Sequence, residues 1–318
     1  MPSRRALLAG AAAGLGLSAL PAVPVFAQAK LRYDLAPRPV LPGVWMIEGV
    51  TDYFDKINGG AIVNCAVLQG QSGLILIDSG PSRRYGEALA ATLRPLDLRG
   101  VSAVVNTHHH PDHFFGNQVF ADRPILALGD TLTAARRDGD AFADNMYRLL
   151  GDWMRGTEPV PPNTALDGGE VTIDGRRFTA LPLGGHTEAD LALVDVETGL
   201  LITGDLAFLD RAPTTPHADL ARWQEALSRL EGLGAPAVLP GHGPFDRTGA
   251  ALRQTRAYLS WLDETLHDAV RTGLDMVEVM DLPLPEEFAA MGAQPQEFHR
   301  SVAHLFPGVE RAVLPRAN

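Results

Sequence analysis

Apolar residues fall in short runs broken by turn formers, and the runs alternate with helical stripes. From Val44 to Ile77 they read as successive strands, ending on Leu74-Ile75-Leu76-Ile77. Asn58-Gly59-Gly60 lies inside this stretch and reads as a hairpin turn between two of the strands. A helix is expected over Arg83 to Leu93, stopped by Pro95. Val101 to Asn106 is the next apolar β-rich run, and Thr131 to Met154 is expected to be helical. Strands return from Glu170 to Ile202 around the turn Asp174-Gly175, and Ala237-Val238-Leu239 is a further short run. Leu220, Trp223, Leu227 and Leu230 recur at helical spacing, as do Leu252, Leu259, Leu262, Leu266 and Val270, with Gly273 as a stop. Short segments around Met276 to Met280 and Pro285 to Met291 precede a last helix expected over Pro295 to Phe306.

The chemistry sits at the ends of the strand-like runs. After Val101 to Asn106 the chain reads His108-His109-His110-Pro111-Asp112-His113, four metal-capable side chains at the spacing H-x-H-x-D-H. Imidazole and carboxylate are ligands that divalent zinc, iron and manganese accept. The period of two in a strand lets His108 and His110 share a side while His109 points away. Asp112 and His113 sit where a helix can begin. His186 in Gly184-Gly185-His186-Thr187, Asp205 in Thr203-Gly204-Asp205 and His242 in Pro240-Gly241-His242-Gly243 each follow an apolar run and stand beside glycine. Five histidines and two aspartates therefore form one candidate set, and two groups facing one point suggest two metals. His109, His217, His267, His299 and His304 have no such context and read as surface or packing residues.

This ordered pattern resembles the metallo-β-lactamase superfamily, over roughly Leu31 to Arg247. The resemblance implies an α/β fold, the αβ/βα four-layer sandwich with two mixed sheets, here with a C-terminal helical extension. It implies that His108, His110 and His186 hold one metal, that Asp112, His113 and His242 hold a second, and that Asp205 bridges both. By the same resemblance Asp78, at the end of Leu74 to Ile77, orients the metal loop, and the Asn58 to Gly60 turn is a flap over the metals. The ligand set is similar to that of glyoxalase II. The stretch Asp205 to Thr214, with the leader and the C-terminal helices, resembles the exported quinoprotein-relay zinc metallohydrolases associated with sulfur oxidation. The expected activity is hydrolysis of an ester, thioester, lactone or amide by a hydroxide shared between two divalent ions, zinc or else iron or manganese, with Asp112 positioning it. One alternative is an oxidoreductase like the persulfide dioxygenases, using a single iron on His108, His186 and Asp205. Others are a β-lactamase, with that activity as a side reaction, and a metal-binding relay partner without catalysis.

The N-terminus, composition and charge add compartment and partners. Ser3-Arg4-Arg5 followed by an Ala/Gly/Leu stretch and Ala27-Gln28-Ala29 resembles a twin-arginine export signal. Residues 1–29 are accordingly set apart, with 30–247 as the catalytic domain and 248–318 as the helical extension. The expected location is the periplasm, with no stable membrane insertion after cleavage. The net charge is −11, and losing Arg4 and Arg5 takes it to −13. An acidic chain without basic clusters excludes nucleic acid as substrate and leaves small molecules, with a homo-oligomer open. Cys65 is the single cysteine, so no internal disulfide forms, and its apolar surroundings read as a buried strand. Specificity is expected from Thr51 to Gly60, Arg136 to Gly156 and Asp210 to His217, which carry Tyr53, Phe54, Phe142, Met146, Trp153 and Arg211.

Overall fold

The computed structural model describes residues 31–314. The leader reading and its cleavage site lie outside the described residues. Seven strands form the first sheet in chain order: β1 (Pro37–Leu41), β2 (Val44–Ile47), β3 (Cys65–Gln69), β4 (Leu74–Ile77), β5 (Val101–Val105), β6 (Ile125–Ala127) and β7 (Thr164–Ala165). Pairing is antiparallel from β1 to β4 and parallel from β4 to β7. The second sheet runs β12-β11-β10-β9-β8 from β8 (Gly169–Ile173), β9 (Arg176–Leu183), β10 (Asp190–Asp195), β11 (Leu200–Phe208) and β12 (Ala237–His242). Its last pair, β11 with β12, is parallel and the others are antiparallel. Both sheets are mixed, as expected.

The four layers follow from which face each apolar residue takes. In β4, Leu74 and Leu76 pack outward and Ile75 and Ile77 pack inward, and all four are buried. In β3, Cys65 and Val67 take the outer face and Ala66 and Leu68 the inner. An unbroken apolar run is what a strand covered on both faces requires. The inner face meets Phe178, Ala180, Leu191, Leu193, Leu200, Ile202 and Leu239 of the second sheet. The outer face is covered by α1 (Arg83–Leu93), through Tyr85, Leu89 and Leu93, and by α3 (Gly129–Leu150), through Ala135, Met146 and Leu150. Between these two helices come the single turn α2 (Pro111–Phe114) and a 3-10 segment, Phe115–Phe120.

The second sheet is covered on its other side by α4 (Leu220–Glu231) and α5 (Ala250–Thr272). Three further helices complete that layer: α6 (Met276–Met280), α7 (Glu286–Ala289) and α8 (Gln296–Val313). Trp223, Leu227, Leu252, Leu259, Leu262, Phe298, Val302 and Phe306 belong to one apolar cluster with Leu201 and Phe208 of the sheet. The C-terminal helices thus share a core with the sheet.

Several expectations need correction. Asn58, Gly59 and Gly60 are not a tight hairpin turn: β2 and β3 do pair antiparallel, but they are joined by residues 48–64, a long loop that contains no strand. The left-handed Gly59 is there because a Cβ would overlap the Trp153 ring. The helix expected to Met154 ends at Leu150 and continues as a 3-10 turn, Gly151–Met154. The last helix runs past Pro307 to Val313 rather than stopping at Phe306, because Val309 and Val313 also pack on the C-terminal layer. By contrast Asp174-Gly175 is a tight β8–β9 hairpin with both residues at positive φ (44° and 78°), the primed turn. Cys65 is buried and free, with its thiol pushed up by burial. Among the described residues no helix is long and apolar enough to cross a membrane.

Candidate metal centre

The seven candidate residues converge from the loops after β5 and β9 and from strands β11 and β12. His108 and His110 lie in the loop after β5, and Asp112 and His113 open α2. His186 lies between β9 and β10, Asp205 within β11 and His242 at the end of β12. All seven are buried. Their ligand atoms fall into two groups, His108, His110, His186 and Asp205 in one and Asp112, His113 and His242 in the other. Asp205 joins them. Its Oδ2 lies 3.9 Å from His108 Nε2 and 3.4 Å from His186 Nε2. Its Oδ1 lies 3.1 Å from His113 Nε2 and 3.3 Å from His242 Nε2. Asp112 Oδ2 sits 3.4 Å from His242 Nε2 and 3.6 Å from His113 Nε2.

Hydrogen bonds behind four of the five rings leave one nitrogen of each facing inward, whereas His186 Nδ1 is buried without a partner. Asp78 is held at φ 62° directly after β4, a conformation that aspartate tolerates better than most residues. Its Oδ1 accepts from the Thr107 backbone N–H at 2.9 Å, and its Oδ2 from the Thr107 hydroxyl and His113 Nδ1 at 2.8 Å each. With that hydroxyl proton spent on Asp78, Thr107 Oγ1 accepts from His108 Nδ1 at 3.1 Å. His242 Nδ1 donates to the Ile62 carbonyl at 2.8 Å. Such partners fix tautomer and ring orientation in metal-binding histidines. Asn64 anchors that segment, donating to the Pro240 and Gly243 carbonyls at 2.9 and 2.7 Å.

The donor set fits divalent metal ions. His108 Nε2, His113 Nε2 and Asp205 Oδ1 are buried and have no hydrogen-bond partner, which costs free energy unless something else satisfies them. Burial would raise the Asp205 carboxyl, but the His242 and His113 imidazoles hold it well below the usual range. Asp112 is likewise held low against burial by His113 and His242. Burial pushes His108 and His110 well down and His186 to about 3, so these imidazoles are neutral and offer lone pairs. Against burial, the Asp205 carboxylate raises His113 and His242, which must give up their extra proton to a metal; ionised carboxylates among deprotonated imidazoles form the ligand chemistry of zinc and its neighbours.

One functional contact escaped the sequence. His217 was expected to be a surface or packing residue, yet its Nδ1 lies 2.8 Å from His110 Nε2. His110 Nδ1 faces His186 Nε2, also at 2.8 Å. For His110 Nδ1 to present a lone pair, Nε2 must carry the proton, and His217 is its acceptor. The two histidines stand 107 residues apart, and no local pattern links them. His109 does point away, toward Asp138 Oδ2 at 3.3 Å. His217→Ala should lower metal affinity roughly 10–100-fold, the usual effect of removing a ligand's outer partner. Competition with a chromogenic chelator measures this, and an unchanged affinity would remove His217 from the site.

Gly241 fixes the distance between β12 and Asp205. A Cβ on Gly241 would overlap Asp205 Oδ1 and crowd the Gly204 backbone. Gly241→Ala should therefore displace the carboxylate and reduce bound metal below two per chain. Catalytic efficiency should fall by about a hundredfold, the scale of an ångström-sized misplacement.

The pocket above these residues is lined by Tyr53, Phe54, Phe142, Met146, Arg211 and His217, together with His110, Asp112 and His242. All three segments expected to set specificity contribute, although Arg136 to Leu150 is helix α3 and not a loop. Trp153 does not line the pocket. It packs on Tyr33 and donates from Nε1 to the Lys56 carbonyl at 2.8 Å.

The fold and the ligand geometry define a class, and comparison with known proteins gives its name. The family model of the metallo-beta-lactamase superfamily matches residues 58–242. This chain belongs to that superfamily. A linear primary-alkylsulfatase from a Pseudomonas species is 21% identical over 286 residues, which is 75% of this chain and 53% of that protein. The human acyl-coenzyme A thioesterase MBLAC2 is 27% identical over 222 residues, 60% of this chain and 76% of that protein. A metallo-beta-lactamase family protein from Thermus thermophilus superposes with a TM-score of 0.63 at 24% identity, covering 87% of this chain and 97% of that one. The chain thus spans about half the length of the alkylsulfatase it resembles.

Proposed function

We propose that this chain is a dinuclear metal-dependent hydrolase acting on an ester, thioester or related bond of a small molecule, with zinc as the metal. The observation that carries the reading is Asp205, whose two oxygens face the two separate ligand groups. His108, His110 and His186 would hold one ion, Asp112, His113 and His242 the other, and Asp205 both. When bound, such ions supply Lewis acidity and acidify a water towards neutral pH. The protein's own part is orientation. Asp112 faces the pocket and, held ionised, can accept a hydrogen bond from a water on its carboxylate and aim it. The rings hold their inward nitrogens fixed through Thr107, Asp78, Ile62 and His217. The names of the relatives, an alkylsulfatase and an acyl-coenzyme A thioesterase, support bond hydrolysis.

The test is metal content on protein purified without added metal, with hydrolysis of 4-nitrophenyl esters, S-acyl thioesters and nitrocefin measured on the same sample. About two zinc per chain with turnover of any of these is the expected result. About one iron with no hydrolysis would overturn the reading in favour of an iron oxidoreductase. Export belongs to the same proposal and rests on Arg4-Arg5 and the small residues that follow. Replacing both arginines by lysine should leave the protein in the cytoplasmic fraction, and an unchanged periplasmic location would refute twin-arginine export.

A further inference from the structure

The pocket holds two arginines, and they differ in what they have left to bind. Arg211 is 1% exposed and fully engaged. It donates to the Asp52 and Ala212 carbonyls, to the Thr214 hydroxyl and to Glu297 Oε1, at 3.1–3.2 Å. Arg300, on α8, is partly buried in the same pocket lining as His110, Asp112 and His242. Among the described residues its guanidinium donates no hydrogen bond. Its nearest acidic atom, Glu297 Oε1, is 3.7 Å from Nη1 and already accepts from Arg211 and Thr214. Otherwise it lies 6.0 Å from the centroid of the Tyr53 ring. Apart from that ion pair with Glu297, its five N–H donors make no hydrogen bond, at the edge of a pocket whose other wall is Phe54, Phe142, Met146 and Leu149.

We propose that Arg300 is an oxyanion-binding residue of this pocket, and that the molecule bound there joins an apolar chain to a carboxylate or sulfate group. A guanidinium pairs with planar and tetrahedral oxyanions through two parallel N–H bonds, and partial burial strengthens the pairing. The surrounding chain is acidic overall, at −11, so this cation is not part of a general basic surface. The arginine comes from α8, so the C-terminal layer contributes to recognition as well as to packing. That the bound molecule is a substrate rests on the hydrolase reading; that it binds does not.

Two measurements on the zinc-loaded full chain separate these. The first compares mono(4-nitrophenyl) adipate with 4-nitrophenyl hexanoate, esters of equal chain length with and without a terminal carboxylate. Arg300→Gln should raise KM for the adipate about tenfold to a hundredfold, the worth of a charge-assisted hydrogen bond, and leave its kcat and both constants for the hexanoate unchanged. Arg300→Lys should recover part of the loss. Equal damage to both esters would show a merely structural role and overturn the proposal, as would no change with either. The second is calorimetric binding of octyl sulfate against octanol, which reads the subsite even if neither ester is cleaved. Weaker octyl sulfate binding by Arg300→Gln, with octanol unaffected, supports the proposal, and equal binding by both proteins overturns it.

Discussion

Asp205→Ala should bind fewer than two metal ions per chain and lose at least about a thousandfold in catalytic efficiency. That loss corresponds to roughly 4 kcal/mol of transition-state stabilisation, the scale attributed to metal-ion electrostatics. The reason is geometric. Other candidate ligands serve one group, whereas Asp205 faces both, at 3.4 Å from His186 Nε2 and 3.1 Å from His113 Nε2. Its loss removes the shared negative charge and leaves one group with only the histidines His108, His110 and His186. Asp205→Asn keeps the shape and one acceptor oxygen but not the charge, so it should show an intermediate metal content. Elemental analysis after dialysis and steady-state kinetics measure these effects. Thermal melting supplies a control. Saturating metal stabilises a folded protein by RT ln(1 + [M]/Kd), about 4 kcal/mol at a thousandfold excess over Kd. That increment should shrink in Asp205→Ala while the metal-free protein still melts cooperatively. A variant with two tightly bound ions would exclude the bridging role.

The parts of this arrangement that were legible in the sequence are those encoded locally. The helix expected over Arg83 to Leu93, with Pro95 beyond it, forms as read, and the structure shows why: Ser82 caps it, accepting from Tyr85 N at 3.1 Å, and Tyr85, Leu89 and Leu93 are its buried face. The seven candidate ligands were legible because each follows an apolar run, four of them in the one stretch His108 to His113, and because glycine stands beside the other three, with Gly241 making room for Asp205. What was not legible depends on contacts between distant segments. Residues 48–64 carry turn formers and some apolar side chains, yet their backbone is held by partners such as Gly241 and Tyr33 and not by a strand ladder. His217 acquires its role only because the loop after β11 meets the loop after β5. Arg300 sits on a helix whose sequence reads as ordinary amphipathic surface, and only the packing of α8 brings it to the pocket.

The largest stability effect is expected at Glu297. Its side chain is fully buried, accepting from Arg211 Nη2 at 3.2 Å and from the Thr214 hydroxyl at 2.8 Å. Arg211 also donates to the Asp52 carbonyl, so one ion pair ties α8 to the loop after β11 and to the segment between β2 and β3. Glu297→Ala would leave the Arg211 guanidinium buried without its counter-charge. The expected cost is about 3–5 kcal/mol, since a lone buried charge is far less stable than a pair. For a domain of this size, that corresponds to a melting temperature lower by roughly 5–8 °C. The double substitution Arg211→Met with Glu297→Leu should recover most of that loss, because apolar residues of similar volume can replace a buried pair with little penalty. Double-mutant analysis of the melting temperatures measures the coupling, and simple additivity would show that the two side chains act independently. The double variant also separates packing from function. If the pair serves only to hold α8, metal binding returns with stability. If the charged network also sets the course of the loop from Asp210 to His217, metal affinity stays reduced in a protein that melts normally, because His217 no longer meets His110 Nε2 at 2.8 Å.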